Sequence, residues 1–236
     1  MGFYEELSRY YDEIFPVDAG EMRFVSGFLA GKRDVLDIGC GTGNKTVLLS
    51  DSARITGVDA DPGMIARARA DNARPGITYE ILDMAALGER FSPASFDGAV
   101  CLGNTLVHLT DPAAIRGLCA SVRRLLAPGG VFVCQILNYG RILDNAVTKL
   151  PVIETPNTRF SRFYTAKGDL LLFRTELYLK ANGQSLKNET PLYPLRPESL
   201  EAMLAATGFS GLEQYGSYQG DPFRKDSFVI IVAATA

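Results

Sequence analysis

Apolar positions along this chain change their spacing several times, and each change predicts an element. Leu7, Tyr10, Tyr11, Ile14 and Phe15 recur at helical spacing over residues 3 to 15, and Pro16 ends the segment. Residues 20 to 30 read as a second helix with Phe24, Val25 and Phe28 on its apolar side. At Asp34 the pattern shortens. Val35, Leu36 and Ile38, broken only by Asp37, fit a strand buried on both faces. Thr46-Val-Leu-Leu-Ser then resumes a helical pattern. Further strands are predicted at Arg54 to Val58, Ile77 to Leu82, Phe96 to Cys101 and Val131 to Leu137. Between them, Asp61-Pro62 and Asp111-Pro112 each place Asp at an N-cap and Pro at N1. In the helix after Asp111, Ile115, Leu118, Val122 and Leu125 face the sheet. Pro128-Gly129-Gly130 turns the chain into the fifth strand. Pro197 to Thr207 is a helix with Gly208 as its C-terminal cap, and two last strands fit Ser210 to Tyr218 and Asp226 to Ala233. Strand alternating with helix predicts an α/β fold with a largely parallel sheet.

Residues 138 to 195 interrupt this alternation. Asn138 to Leu150 reads as a helix and Thr158 to Thr165 alternates as a strand. In Leu171, Phe173, Thr175, Leu177 and Leu179 the odd positions form the apolar side, while Arg174, Glu176 and Lys180 point the other way. Asn182-Gly183 is a hairpin signal, with Ser185 to Leu192 as the return strand. The reading is a small antiparallel sheet inserted after the fifth strand. Ligands of open α/β sheets bind beyond the C-terminal strand ends, where this insertion leaves, so it can wall in a substrate. The chain is accordingly one domain over 1–236. Its N-terminal helices span 1–33, its core 34–137 and 196–236, and its inserted lid 138–195.

Composition narrows the function. The 236 residues are 47% apolar, enough for a core, and carry a net charge of −3, so no electrostatic footprint for nucleic acid is visible. The apolar run from Phe228 to Ala236 is too short to span a bilayer. The Met-Gly-Phe-Tyr-Glu-Glu start matches neither a signal peptide nor a myristoylation site. Cys40, Cys101, Cys119 and Cys134 form no CxxC pair and lie in apolar contexts, which fits reduced thiols in a cytoplasmic protein. With one histidine in the chain, a histidine-rich metal site is excluded. A monomer or homodimer is expected, with no membrane or nucleic-acid partner.

The chemistry centres on Asp34 to Lys45. Gly39, Gly41 and Gly43 stand at every second residue, where missing Cβ atoms let backbone approach a ligand closely. The following helix start would offer free N–H groups. A dinucleotide fingerprint fails here, because its last glycine would fall on Asn44 or Thr46, and no phosphate loop is present. Asp59, at the end of the second strand, stands about 20 residues after Gly39, the spacing at which a carboxylate reaches a ribose diol. Asp83 ends the third strand.

This set, Asp37-x-Gly39-x-Gly41-x-Gly43 with Asp59 and Asp83, resembles the class I S-adenosylmethionine-dependent methyltransferases over roughly residues 34 to 137 and 197 to 233. The resemblance implies a Rossmann-like, doubly wound, seven-stranded, mostly parallel sheet whose last strand runs antiparallel. It implies S-adenosylmethionine as cofactor, with S-adenosylhomocysteine as product. Implied cofactor contacts are Asp37, Gly39, Cys40, Gly41 and Asn44, then Asp59, Ala60 and Met64, then Asp83, Met84 and Leu102. Tyr11-Asp12 resembles a Tyr-Asp pair that folds over the cofactor. Cys101-Leu-Gly-Asn-Thr-Leu-Val-His-Leu, with Asn138-Tyr139 and Tyr193-Pro194, is similar to the glycine and sarcosine N-methyltransferases. Those enzymes hold the substrate carboxylate with an Arg before Asn-Tyr, where this chain has Leu137. The Asn-Pro-Pro-Tyr of nucleic-acid amino methyltransferases is absent after the fourth strand, and Cys101 lacks the preceding Pro of the cytosine C5 enzymes.

The expected activity is methyl transfer to a small-molecule acceptor, first of all an amine nitrogen. The alternative is a catalytically silent module that binds an S-adenosyl nucleoside. Asn104, which both donates and accepts, is a candidate to orient the acceptor. His108, four residues on, is a candidate base sharing its face if the segment is helical. Tyr139, Tyr164 and Tyr193 are candidate acceptor contacts, each offering an apolar face and a polar handle.

Overall fold

The computed structural model describes residues 3–49 and 53–236. Helices α1 (Phe3–Ile14) and α2 (Ala19–Phe28) precede β1 (Asp34–Ile38). Next come β2 (Arg54–Asp59), α3 (Pro62–Asp71), β3 (Ile77–Ile81), α4 (Leu87–Arg90), β4 (Phe96–Cys101), α5 (Pro112–Leu125) and β5 (Leu126–Leu137). The insertion holds α6 (Tyr139–Asp144), β6 (Ile153–Glu154), β7 (Thr158–Lys167), β8 (Leu170–Leu179) and β9 (Gln184–Leu192). The chain closes with α7 (Pro197–Ala206), β10 (Ser210–Tyr215) and β11 (Val229–Thr235).

The large sheet has seven strands in the order β10-β11-β5-β4-β1-β2-β3. β1 pairs in parallel with β2 and β4, β2 with β3, and β4 with β5, while β11 runs antiparallel to β5 and β10. Alternation assigns the two faces. Leu36, Ile38, Cys101, Phe132 and Cys134 pack on one side with Ile115, Leu118 and Val122 of α5 and Leu200 of α7. Val35, Ile55, Val100, Val133 and Ile231 pack on the other with Met22 and Val25 of α2. Apolar burial on both faces is what a central parallel strand requires. Because β1 and β4 are neighbours, the loops leaving their C-terminal ends meet. The four cysteines are free and buried. Among the described residues no helix is long and apolar enough to cross a membrane.

Several expected elements come out differently. The helix after the glycine loop is a single 3-10 turn, Thr46–Leu48, and Ser50 lies outside the described residues. Pro128-Gly129-Gly130 is an irregularity inside β5, where the register against β4 shifts between Phe96 and Gly98 and Gly129 takes φ +76°. The helix expected to Leu150 stops at Asp144, because Leu150 N bonds Arg162 O at 3.0 Å and draws the segment alongside β7. β10 ends at Tyr215, where Gly216 N turns back to Asp221 O at 2.8 Å, so the last strand starts at Val229. α4 and β6 are too short to leave a periodic signal.

The insertion is a four-stranded antiparallel sheet, β6-β7-β8-β9. Its cross-strand rows are specific. Phe160, Leu177 and Leu186 align, and pack against Leu7 and Ile14 of α1. Tyr164 and Phe173 align and pack toward Tyr139 in the main core. Between these rows stand Arg162, Thr175 and Asn188. Asn157 ties the sheet to α1, donating from its backbone and side chain to Glu13 at 3.0 and 2.9 Å.

Candidate active site

Beyond the C-terminal ends of β1 to β4 lies a cavity of about 470 Å³. Leu7 and Tyr11 of α1, Gly39 and Gly41, the Asp59–Asp61 corner, Met64, the Leu82–Met84 corner and the Gly103–Leu109 loop line it. Its size is that of an ordinary small-ligand site.

The floor is the glycine loop. Gly39, Gly41 and Gly43 have φ of +73°, +56° and +76°, a region open to glycine and costly for other residues. A Cβ on Gly39 would lie 2.3 Å from the Thr105 methyl, so this glycine lets the loops after β1 and β4 touch. A Cβ on Gly41 would meet the Tyr11 ring at 3.8 Å, which places that ring over the loop. Thr42 Oγ1 donates to Asp12 Oδ1 at 2.5 Å, and the Asn44 amide to Phe15 O at 3.4 Å, so α1 is latched down as one side of the cavity.

Asp59 sits at the corner. One oxygen accepts from Gly41 N and the other from Asp61 N, both at 2.9 Å. These bonds aim the carboxylate, while burial holds its pKa above the usual carboxylate value. The Tyr11 phenol is pushed up to about 12, by burial first and then by Asp59 and Asp12, so it stays protonated as a donor. Asp83 caps the 3-10 turn Met84–Ala86 through Ala85 N at 2.9 Å and stands exposed at the rim. The donor set suits an adenosyl group: a carboxylate for a ribose diol, Met64, Leu82 and Met84 as apolar cover for a base, and a rim acid for an exocyclic amine.

Of the cofactor residues expected from sequence, Tyr11, Gly39, Gly41, Asp59, Ala60, Met64, Asp83 and Met84 are brought together on the cavity. Asp37, Cys40, Asn44 and Leu102 are not. Asp37 is buried beneath the loop, where it accepts from Thr46 Oγ1 at 2.7 Å, and burial pushes its pKa up to about 6. Cys40 turns down against Ile65, Ala68 and Tyr79, and Leu102 packs among Val35, Val100 and Val133. These four shape the loops from below. Leu7, Asp61, Leu82, Gly103, Thr105 and Leu109 line the cavity without having been assigned there. Asp61 was legible only as a cap, and it is also one, accepting from Met64 N at 2.9 Å.

The expected acceptor side needs more correction. His108 lies on the cavity wall, reachable by solvent yet enclosed by enough protein that burial lowers its pKa below the ordinary histidine value. Asn104 does not share its face. The segment is a 3-10 turn at Leu106–His108, and Asn104 itself takes φ +68°. Its side chain turns inward, donating to Tyr139 Oη at 2.9 Å and accepting from Leu137 N at 3.0 Å. Gln135 holds the same loop, accepting from Gly103 N at 2.8 Å. Tyr139 is wholly buried and Tyr164 is 4% exposed, so neither reaches the cavity. Tyr193 lines a neighbouring surface groove with Thr110, Lys167 and Arg196.

Residues 35–130 match the family described as a methyltransferase domain. The chain is 27% identical over 210 residues to the glycine/sarcosine N-methyltransferase of Parasynechococcus marenigrum, covering 86% of this chain and 72% of that one. It is 38% identical over 117 residues to the ubiquinone biosynthesis O-methyltransferase of Xanthomonas euvesicatoria, a stretch that spans 47% of this chain and 45% of the relative. Its fold superimposes on an S-adenosylmethionine-dependent methyltransferase from Clostridium acetobutylicum with a TM-score of 0.79, at 19% identity and 98% coverage of both chains. These matches support an enzyme rather than a silent binding module. The cavity and the matches agree: residues 35–130 match a methyltransferase domain, and the whole chain has the fold of an S-adenosylmethionine-dependent methyltransferase.

Proposed function

We propose that the protein transfers the methyl group to an amine nitrogen of a small molecule. S-adenosylmethionine supplies an electrophilic methyl group on a sulfonium. Tyr11, Asp59, Met64 and Asp83 would hold its adenosyl part, and the Gly103–Leu109 loop would form the far wall of the site. Orientation and exclusion of water are the main contributions left to the protein.

The setting of His108 carries the choice of nitrogen. Burial keeps its imidazole neutral at neutral pH, so it accepts a proton but is a weak base. An amine needs only that. It attacks through its lone pair, and the proton is lost from a species far more acidic than an alcohol. A relative that methylates glycine and sarcosine nitrogen fits this reading, and one named for O-methylation keeps oxygen as the competing case.

Labelled methyl transfer to matched pairs, each an amine and the corresponding alcohol or phenol, tests it. Label should enter the amine member. Transfer confined to hydroxyl members would overturn the reading.

A further inference from the structure

An insertion that leaves from the C-terminal strand ends is expected to wall in a substrate, yet no described residue from 138 to 195 lines the cavity. The inserted sheet meets the site through the loop after β4, and that loop has two sides. Gly103, Thr105, His108 and Leu109 line the cavity. Leu106 and Val107 are wholly buried in the same core as Leu171 and Leu192 of the sheet. Tyr193 N, just past β9, donates to Val107 O at 2.9 Å. Asn104 also turns away from the cavity, and a line of polar groups starts from it.

Leu137 N donates to Asn104 Oδ1 at 3.0 Å. A backbone N–H can be met only by the carbonyl end of an amide, so this bond sets which way the amide points. Its Nδ2 then donates to Tyr139 Oη at 2.9 Å. Tyr139 keeps its own proton, and the Tyr164 hydroxyl of β7 lies beside it as the acceptor, a looser contact than the bond from Asn104. The backbone follows suit. Gly103 and Asn104 take φ of +70° and +68° in succession, a conformation that asparagine tolerates better than most residues. Gln135 fastens both, its Oε1 accepting from Gly103 N at 2.8 Å and its carbonyl from Asn104 N at 3.3 Å. Burying an amide and two phenols costs desolvation that an apolar core would avoid. What they secure is the place of Thr105, which stands over Gly39, and of His108.

We propose that Asn104, Tyr139 and Tyr164 are positioning residues that join the inserted sheet to the loop after β4 and set where Thr105 and His108 stand against the bound cofactor. The insertion thus acts on methyl transfer from behind the loop. A displacement of about 1 Å at a reacting centre is enough to cost orders of magnitude in rate. The proposal rests on the methyl-transfer reading above, but not on the acceptor atom being nitrogen.

The single histidine makes the test direct, because isotope-labelled histidine gives NMR signals from His108 alone. In the complex with S-adenosylhomocysteine, Tyr139→Phe and Asn104→Gly should each move or broaden those signals. Asn104→Gly keeps the left-handed backbone and removes only the anchor. S-adenosylhomocysteine affinity should stay within about twofold in both, less than one hydrogen bond is worth. Tyr164→Phe should act in the same direction with smaller size, and Tyr178→Phe, on the opposite face of the sheet, should leave the signals in place. With the acceptor that takes label in the matched-pair assay, whether amine or hydroxyl, Tyr139→Phe and Asn104→Gly should lower kcat about tenfold at nearly constant KM. His108 signals that stay put in both variants would overturn the proposal, whatever happens to their unfolding temperature, because the line would then be packing only. A kcat within about twofold of wild type in both would do the same. Label found only on oxygen would defeat the nitrogen reading and leave these outcomes unchanged.

Discussion

The cavity wall and the inserted sheet differ in how their polar groups are satisfied. On the wall built from β1, β2 and β3, each key carboxylate already has protein donors. Asp59 accepts from two backbone N–H groups, Asp37 from Thr46, Asp61 from Met64 N and Asp83 from Ala85 N. In the inserted sheet, Arg162 Nε and Thr175 Oγ1 are buried without a hydrogen bond. The first wall is preorganised, so little reorganisation is required when the cofactor arrives. The second holds polar groups whose burial no hydrogen bond offsets.

The sharpest way to break the comparison is to disturb the floor. Gly39→Val places a branched side chain where Thr105 stands and forces it to φ +73°. Overpacking and backbone strain together should cost about 2–4 kcal/mol, read by urea unfolding. Thr105→Ala in the same chain should recover part of that loss. If Gly39→Val unfolds like wild type, the two loops do not touch as described.

Asp59→Ala comes next. It removes the carboxylate from the corner and should weaken S-adenosylmethionine binding by about 1.5–3 kcal/mol. Calorimetry with S-adenosylmethionine and with NAD checks both the loss and the cofactor. An unchanged S-adenosylmethionine affinity would remove Asp59 from the site.

Asp37 tests whether a satisfied group can still be a burden. Its folded pKa, about 6, lies above its unfolded value, because burial disfavours the charge. The folded protein therefore binds the proton more tightly, and the stability this contributes is present at low pH and lost as pH rises through 6. Asp37→Asn should be more stable than wild type by about 2 kcal/mol at pH 8, with the gap closing toward pH 4. A gap independent of pH would refute the assignment.

On the acceptor wall, His108→Gln should lower turnover at least about tenfold. In wild type the rate should fall as His108 gains its proton. Burial places that limb below about pH 6.5, and the variant should lack it. A variant that keeps both rate and limb would make His108 a wall residue only. The smallest effect is expected from Tyr193→Phe. Tyr193 faces the neighbouring groove, so acceptor turnover and cofactor affinity should both stay within about twofold, less than the loss of one hydrogen bond. A larger change in turnover alone would bring that groove into the acceptor path.

Legibility followed the same division. The glycine loop, Asp59 and Asp83 could be read because a single strand-turn unit sets their spacing, and local backbone geometry does not depend on strand order. Thr105 could not be read. It matters only because β4 lies beside β1, a pairing between residues more than sixty apart in sequence. Asn104 and His108 looked like one face because four-residue spacing suits a helix. A left-handed Asn104, held by Tyr139 and Leu137 N, separates them. Tyr139 and Tyr164 carry the right chemistry but are packed into the core.

Taken alone, the sequence determined the α/β class, most strand and helix positions, the antiparallel insertion and several of the residues that line the cavity. Hydrophobic period and turn chemistry are local and survive without tertiary context. Tertiary structure alone decided which side chains face the cavity from the loop after β4. It also decided how far α6 and β10 run, and where Arg162 lies. The period-2 pattern puts Arg162 on the same face of the inserted sheet as Phe160 and Tyr164, but only the docking of that face against α1 and the core half-buries it and leaves its Nε without a hydrogen bond. Burial of charge is a property of what packs above it, and no spacing within a strand records that.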